Sequence, residues 1–231
     1  MHIPTSDVDV ELHEPLVFRT TSADVYRNSL ETGTLWLRSD QYYRELEDRI
    51  RNDQLEGVSS GTTSVPLRIR AGGVTVQIRG LGAIGQVVTP HYLVSLHGTS
   101  ISTAQRKEFG GYTFGVRSLS RLSTDVLFQA SQQIKCSGYR YGQVCYQYTA
   151  LTMSLFSNGA AINLGGNPPL CLGALNTDAL RKRPVVPFTE QDEWRIVIFT
   201  DGYLGNDAAA PLKICVARSH FYPYLTADGQ A

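Results

Sequence analysis

Three separated groups of side chains carry most of the chemical content of this chain. Arg19, with Thr20 beside it, closes the short apolar run Leu16-Val17-Phe18. Ser39, Tyr42 and Tyr43 follow a second apolar run, Thr34–Leu37. Far downstream, Gln191 and Glu193 stand at the head of a third, Trp194–Phe199. A guanidinium grips a pair of phosphate oxygens through parallel N–H donors. A tyrosine ring stacks on a planar heterocycle. A carboxylate beside a sugar carbon stabilises positive charge as a bond to that carbon breaks. Together these groups are what is needed to hold a dinucleotide and open its glycosidic bond.

The elements that must position them are legible around each group. Leu16–Arg19 reads as a strand. Ser22 is a good helix N-cap with Asp24 in the first turn, and Val25, Tyr26 and Leu30 supply an apolar stripe through Thr32. Gly33 is a natural helix stop, and Thr34–Leu37 is rich in β-formers. In an extended segment Gln191 and Glu193 share a face, because side chains alternate with period two.

Between these landmarks the chain is mixed. Glu45 to Arg49 and Glu47 to Arg51 sit at i,i+4 in the favourable order, which predicts a helix. That helix is either a solvated face or, with Arg44, Arg49 and Arg51, an acceptor- or phosphate-binding one. Residues 57–64 read as a polar loop, and 66–70 and 74–79, joined by Ala-Gly-Gly, as a hairpin. Tyr92–Leu96 and Tyr112–Val116 read as buried strands, and Leu122–Ser131 as a short helix. Residues 144–155 are apolar but of undecided type, and 157–187 read as mostly loop with a short helix at Asp178–Lys182. Leu212–Ala217 is a last strand, and residues 1–14 form an acidic N-terminal arm. The pattern predicts an α+β fold, with a single domain over 15–231.

Bulk composition narrows the function classes. The chain of 231 residues, 42% hydrophobic and 18% charged, can bury one sizeable core. Lys+Arg and Asp+Glu both number 21, so no global positive field announces a nucleic-acid binder, although a local basic groove is allowed. The 4 cysteines are scattered without a Cys-x-x-Cys pair, which argues against a zinc site and for reduced thiols in the cytoplasm. No metal is expected. The N-terminus is no signal peptide, and no apolar run approaches the ~20 residues that span a bilayer, so no membrane partner is expected.

Two motifs match on paper and fail on context. Gly80-Leu-Gly82-Ala-Ile-Gly85 fits the dinucleotide fingerprint, but β-branched residues and Pro90 follow where a helix must receive the pyrophosphate. A turn within a β-meander is the expectation there. Gly57-Val-Ser59-Ser-Gly61 fits a nucleophile elbow, but polar residues precede it where a strand is required, so it reads as loop.

The strand–helix–strand opening, with Arg19 at its first strand, Ser39 after its second and Gln191-x-Glu193 near the end, resembles the mono-ADP-ribosyltransferase family of bacterial toxins and phage-defence effectors. Ser39-Asp40-Gln41 stands where many members carry a fuller serine motif. In another branch a tyrosine takes that place, so Ser39 or Tyr42/Tyr43 fills it here. The resemblance implies a split β-sheet core and NAD as substrate. Arg19, Thr20, Ser39, Tyr42 and Tyr43 would then contact NAD. Glu193 would support the ribose charge, and Gln191 would orient the acceptor. A glutamine at that position implies an amide-like or exocyclic nitrogen as acceptor, on a nucleic-acid base or a protein. An antitoxin or other neutralising partner is a further expectation. Two alternatives stay open: an NAD-independent nuclease toxin using His91 or His97, and a non-catalytic β-rich interaction protein.

Overall fold

Alternation along two strands organises the structure. The computed structural model describes residues 11, 13–45, 56, 58–63, 67–71, 74–78, 82–88, 90–144, 160–163, 179–180 and 192–225. In chain order the elements are β1 (Val17–Thr21), α1 (Ala23–Thr32), β2 (Thr34–Ser39), α2 (Asp40–Glu45), β3 (Val58–Thr63), β4 (Leu67–Ala71), β5 (Val74–Ile78), β6 (Gly82–Val88) and β7 (His91–His97). There follow α3 (Thr103–Glu108), β8 (Tyr112–Val116), α4 (Leu119–Ser131), β9 (Cys136–Gln143), β10 (Ala160–Asn163), β11 (Glu193–Thr200), β12 (Leu212–Cys215) and β13 (Phe221–Leu225). The fold is mixed helix and strand, with a mostly antiparallel sheet and a few short helices. Contacts sort the chain into two units, one of residues 1–56, 90–146 and 179–231, the other of 57–89 and 147–178.

The first unit holds an 8-stranded sheet in which every pairing is antiparallel. β7 is its hub. Along one edge β7 pairs with the length of β11, from Glu193↔His97 to Phe199↔His91. Its other edge is shared: β1 holds the far end through Phe18↔His97, while β2 holds the near end through Arg38↔Leu93 and Ser39↔Tyr92. The first two strands therefore part from one another along β7, and Arg19 stands where β1 leaves it.

Directly opposed residues of an antiparallel pair point to the same side. Tyr92, Val94 and Leu96 of β7 and Trp194, Ile196 and Ile198 of β11 thus share one face, packed with Leu35, Leu37, Phe114, α1 and α4 into the main core. α1 buries Tyr26 and Ser29 against it and ends at Gly33, φ 71°, whose N–H caps the Asn28 and Ser29 carbonyls. A Cβ at Gly33 would strike the Val216 carbonyl, so glycine is required both by conformation and by space. α4 buries Leu119, Leu122, Val126 and Ala130. Its first turn is capped by Ser118, which accepts from the Arg121 N–H, and by Glu14, which accepts from the Leu119 and Ser120 N–H groups.

The second unit contains a 3-stranded sheet ordered β10-β4-β5 and a 2-stranded sheet of β3 and β6. The expected hairpin is present as β4 and β5, paired from Leu67↔Ile78 to Ala71↔Val74. Three expectations need correction. Residues 58–63, read as loop, form β3. The glycine fingerprint enters the strand β6, paired with β3, rather than a turn. Residues 160–163, placed in a loop, form β10, parallel to β4. The helix expected over 45–51 falls outside the described residues beyond Glu45, and a short helix, α2, precedes it.

Candidate functional site

The face of β7 and β11 turned away from the core is polar. His91, Leu93, Ser95 and His97 alternate onto it from β7, and Glu193, Arg195 and Val197 from β11. Glu193 is 4% exposed, and its Oε1 accepts from the Ser95 hydroxyl at 2.7 Å and from Arg195 Nε at 2.8 Å. Arg195 is itself buried. Its Nη1 donates to Glu56 Oε1 at 3.0 Å and to the Ala179 carbonyl at 2.8 Å, and its Nη2 lies 2.9 Å from Glu56 Oε2. Burial works against the Arg195 charge, but Glu193 and Glu56 outweigh it and raise its pKa. Glu193 is thus fixed from two sides by a guanidinium that cannot rotate away.

The residue ahead of it is equally constrained. Asp192 has φ 42°, a left-handed conformation that aspartate tolerates better than most residues. Its carbonyl accepts from the Gly98 N–H at 2.8 Å, and its carboxylate accepts from the Ser100 N–H and from Gln143 Nε2. A Cβ at Gly98 would collide with that carboxylate.

Tyr43 of α2 packs its ring beside Leu93, Ala179 and Val197, with Tyr42 edge-on at 5.4 Å. Burial pushes its phenol pKa well up and Glu193 adds to the shift, while Arg19 and Arg195 act downward and Glu56 upward. Charges from β1, from β11 and from Glu56 therefore all act on one hydroxyl. Arg19 has no hydrogen bond or ion pair among the described residues, and its Nη1 is sealed from solvent without a partner. Burial lowers its pKa, Tyr43 opposes the shift and the nearby Arg38 charge adds to it. A half-buried positive charge with one nitrogen sealed from water and no counter-charge is unfavourable, and an anion arriving beside it would relieve that.

The other expected site residues are placed as follows. The Thr20 hydroxyl bonds His97 Nε2 and the Thr113 hydroxyl, both at 2.9 Å. The Ser39 side chain is fully buried and accepts from the Tyr42 N–H as the N-cap of α2. Tyr42 lies under the Arg38 guanidinium, 4.4 Å from its ring centroid. Arg44 pairs with Asp40 at 2.6 Å and donates to the Glu56 carbonyl at 2.9 Å, so its charge is engaged internally. Gln191, Arg49 and Arg51 lie outside the described residues. The charges of Arg19 and Glu193 thus both act on the Tyr43 phenol, while Thr20, Ser39 and Arg44 have internal partners.

Ser95, Arg195 and Glu56 were missed as site residues. The alternation Glu193-x-Arg195 was the available signal: two opposite charges on one face of a strand otherwise apolar. Glu56 carried no local signal, because its partners Arg195 and His91 are distant in sequence.

Of the two histidines considered as acid–base groups, His97 is held neutral, with its pKa pushed by burial down to about 4. Its Nδ1–H donates to the Gly98 carbonyl, leaving Nε2 to accept from Thr20. His91 is buried against Glu56 at 3.1 Å. Among the described residues no three His, Cys, Asp or Glu side chains cluster as a metal site, and no helix is long and apolar enough to cross a membrane. The chain matches no family model, no curated protein and no solved structure.

Proposed function

We propose that this chain is an NAD-dependent mono-ADP-ribosyltransferase, a toxin or anti-phage effector acting in the cytoplasm and built on the split sheet of that family. The observation that carries the reading is the meeting of charges at Tyr43: an unpartnered guanidinium from β1 and a buried, doubly held carboxylate from β11. The parting of β1 and β2 along β7 supports the same reading, because it opens the sheet beside Arg19.

In this reaction Arg19 binds the NAD diphosphate through charge-assisted hydrogen bonds. The bond between the ribose and nicotinamide breaks, and its electron pair returns to the pyridinium nitrogen, which leaves neutral. Positive charge develops on the ribose and is stabilised by the Glu193 carboxylate, whose orientation is already set by Ser95 and Arg195. Tyr43 keeps its proton, since burial and Glu193 raise its pKa, and so serves as a hydrogen-bond donor or a surface for nicotinamide. An acceptor nitrogen attacks the ribose carbon and releases its proton to solvent water, so that neutral nicotinamide, one proton and the ADP-ribosylated acceptor are the products. Gln191, two residues before Glu193, orients an amide or a nucleic-acid base for that attack, and a neutralising partner restrains the enzyme in its own cell.

The test is incubation of the full chain with labelled NAD and, separately, cell RNA, DNA and protein. Label transfer to one of the three is expected. Glu193→Gln, which keeps an acceptor for Ser95 and Arg195 but takes one charge from the buried pair, should lower transfer by about 10²–10³-fold in protein that remains folded, with a smaller loss of Tm than Arg195→Ala. A folded protein that neither transfers label nor releases nicotinamide would overturn the reading.

A further inference from the structure

Among the described residues the 8-stranded sheet ends at β12, β13 and β9, and the chain treats these edges differently. β12 is 4 residues long and carries Lys213, whose carbonyl accepts from the Gln133 side chain at 2.8 Å. β13 is 5 residues long, with Pro223 in its middle and a break in register between Pro223 and Leu225. Shortness, a lysine, a proline and an irregular register are the usual means of keeping a sheet edge from pairing with another chain. β9 is built otherwise. It spans 8 residues without proline, Arg140 is its one charge, and its pairing with β11 is regular from Gly138 to Gln143.

The outer edge of β9 is also open. The Val144 N–H donates to the Glu193 carbonyl at 2.8 Å, continuing the register that sets Gln143 opposite Trp194 and Tyr141 opposite Ile196. Bonding groups alternate along an antiparallel strand, so Arg140 and Gly142 turn theirs to β11 as Val144 does. Tyr139, Tyr141 and Gln143 turn theirs outward, and these backbone groups have no partner among the described residues. The two tyrosines are each 41% exposed, with ring centroids 6.3 Å apart and planes 22° from parallel.

A second copy of the same strand fits this edge. Val144 to Gly138 is a regular stretch centred on Tyr141. A two-fold axis there sets Tyr141 against Tyr141 of the copy, Tyr139 against Gln143, and Arg140 against Gly142. The residues that would exchange backbone bonds are then those whose groups point outward. The tyrosines gather on one face, and on the other no two arginines are opposed, as they would be with the axis at Arg140. Lys+Arg and Asp+Glu both number 21, so no net charge holds two copies apart.

We infer that β9 is the seam of a two-fold dimer, in which a second copy of this chain pairs its β9 antiparallel to the first and the two sheets run on as one. Nothing in this depends on the transferase reading.

Sedimentation velocity of the full chain at rising concentration should reveal a species of twice the chain's mass. Tyr141→Lys brings two ammonium groups together at the axis and should weaken that dimer by about tenfold or more. The Tm of the dilute, monomeric protein should not change, because this side chain already stands exposed. Tyr141→Pro removes an outward N–H and leaves the bonds to β11 intact, and should weaken the dimer as well. Should the proline variant fail to fold, the lysine variant decides alone. Hydrogen exchange locates the seam: protection of the Tyr139, Tyr141 and Gln143 amides should rise with concentration, while that of Arg140 and Gly142 changes little. A chain that stays monomeric at every concentration, as an edge reserved for a strand of another protein would, overturns the proposal. So does a dimer that Tyr141→Lys leaves intact. Label transfer from NAD is scored separately, and its absence from a protein that dimerises through β9 removes only the transferase reading.

Discussion

The two faces of the β7–β11 pair are made by the same backbone and differ only in which alternate residues they display. One face presents Tyr92, Val94, Leu96, Ile196 and Ile198 to α1 and α4 and is held by apolar burial. The other presents Ser95, His97, Glu193 and Arg195 and is held by directed bonds among buried charges. Apolar packing is additive and tolerates exchange of similar shapes, whereas a buried charge network stands or falls with each member. A face organised in the second way is a poor means of gaining stability, since desolvation offsets much of the Coulombic gain. Its value lies in fixing one carboxylate in one orientation.

The sharpest way to break this comparison is to remove one member from each face. Arg195→Ala leaves Glu193 and Glu56 facing each other without their shared guanidinium, and should destabilise the protein by about 3–5 kcal/mol. Leu122→Ala, fully buried on the opposite side, should cost about 2–5 kcal/mol through lost transfer energy and a cavity. The two losses overlap in size but not in character. Restoring bulk with Met at 122 should return most of the stability, while Lys at 195 should return little, because it cannot bridge two carboxylates and a carbonyl. Urea unfolding of the four variants measures this, and full rescue by Arg195→Lys would refute the contrast.

A second comparison separates Arg195 from Arg19. Both are arginines on strands of the same sheet, yet one is bonded by two carboxylates and a carbonyl while the other has no partner. Arg19→Ala is therefore expected to leave Tm unchanged or slightly higher, since it removes a half-buried charge that no carboxylate compensates. It should weaken NAD binding by about 1.5–3 kcal/mol, the value of a hydrogen bond to a charged group. Calorimetric titration beside a thermal melt gives both readings. A loss of Tm comparable to that of Arg195→Ala would mean that the two guanidiniums do the same structural work.

The opening strand–helix–strand was legible in the chain because its signals are local. Gly33 stops α1, apolar spacing marks the stripe of that helix, and β-formers mark β1 and β2. The polar face was only half legible. Glu193 was found because a charge at the head of an apolar strand is conspicuous, and Arg19 because it ends another. Ser39 and Thr20 have the right residue types, but their hydroxyls are satisfied by the Tyr42 N–H and by His97 and Thr113, and no sequence pattern announces such partners. β3 and β10 were missed as strands. Their glycine, serine and alanine content is that of loops, and only pairing with β6 and β4 makes them strands.

A smaller effect tests the comparison from the core side. Glu14 is a carboxylate that, like Glu193, gathers several donors, but its donors are the Ser118 and Ser120 hydroxyls and two N–H groups at the start of α4. Burial alone would raise its pKa; the Ser120 and Ser118 bonds and the backbone N–H groups outweigh it, and the net shift is downward. A carboxylate with a lowered folded pKa stabilises the protein fully above its ordinary value of 4.5 and loses that contribution as pH falls through the lowered one. Glu14→Gln should therefore cost about 1 kcal/mol at neutral pH, the scale of a charge at a helix N-terminus, and progressively less below pH 4.5. Thermal melts of the wild type and the variant across that range should converge on the acid side. NAD turnover at neutral pH should not change, because Glu14 braces the α4 side of the sheet, away from Glu193. Curves that stay parallel down to acid pH would show that Glu14 acts through shape rather than charge.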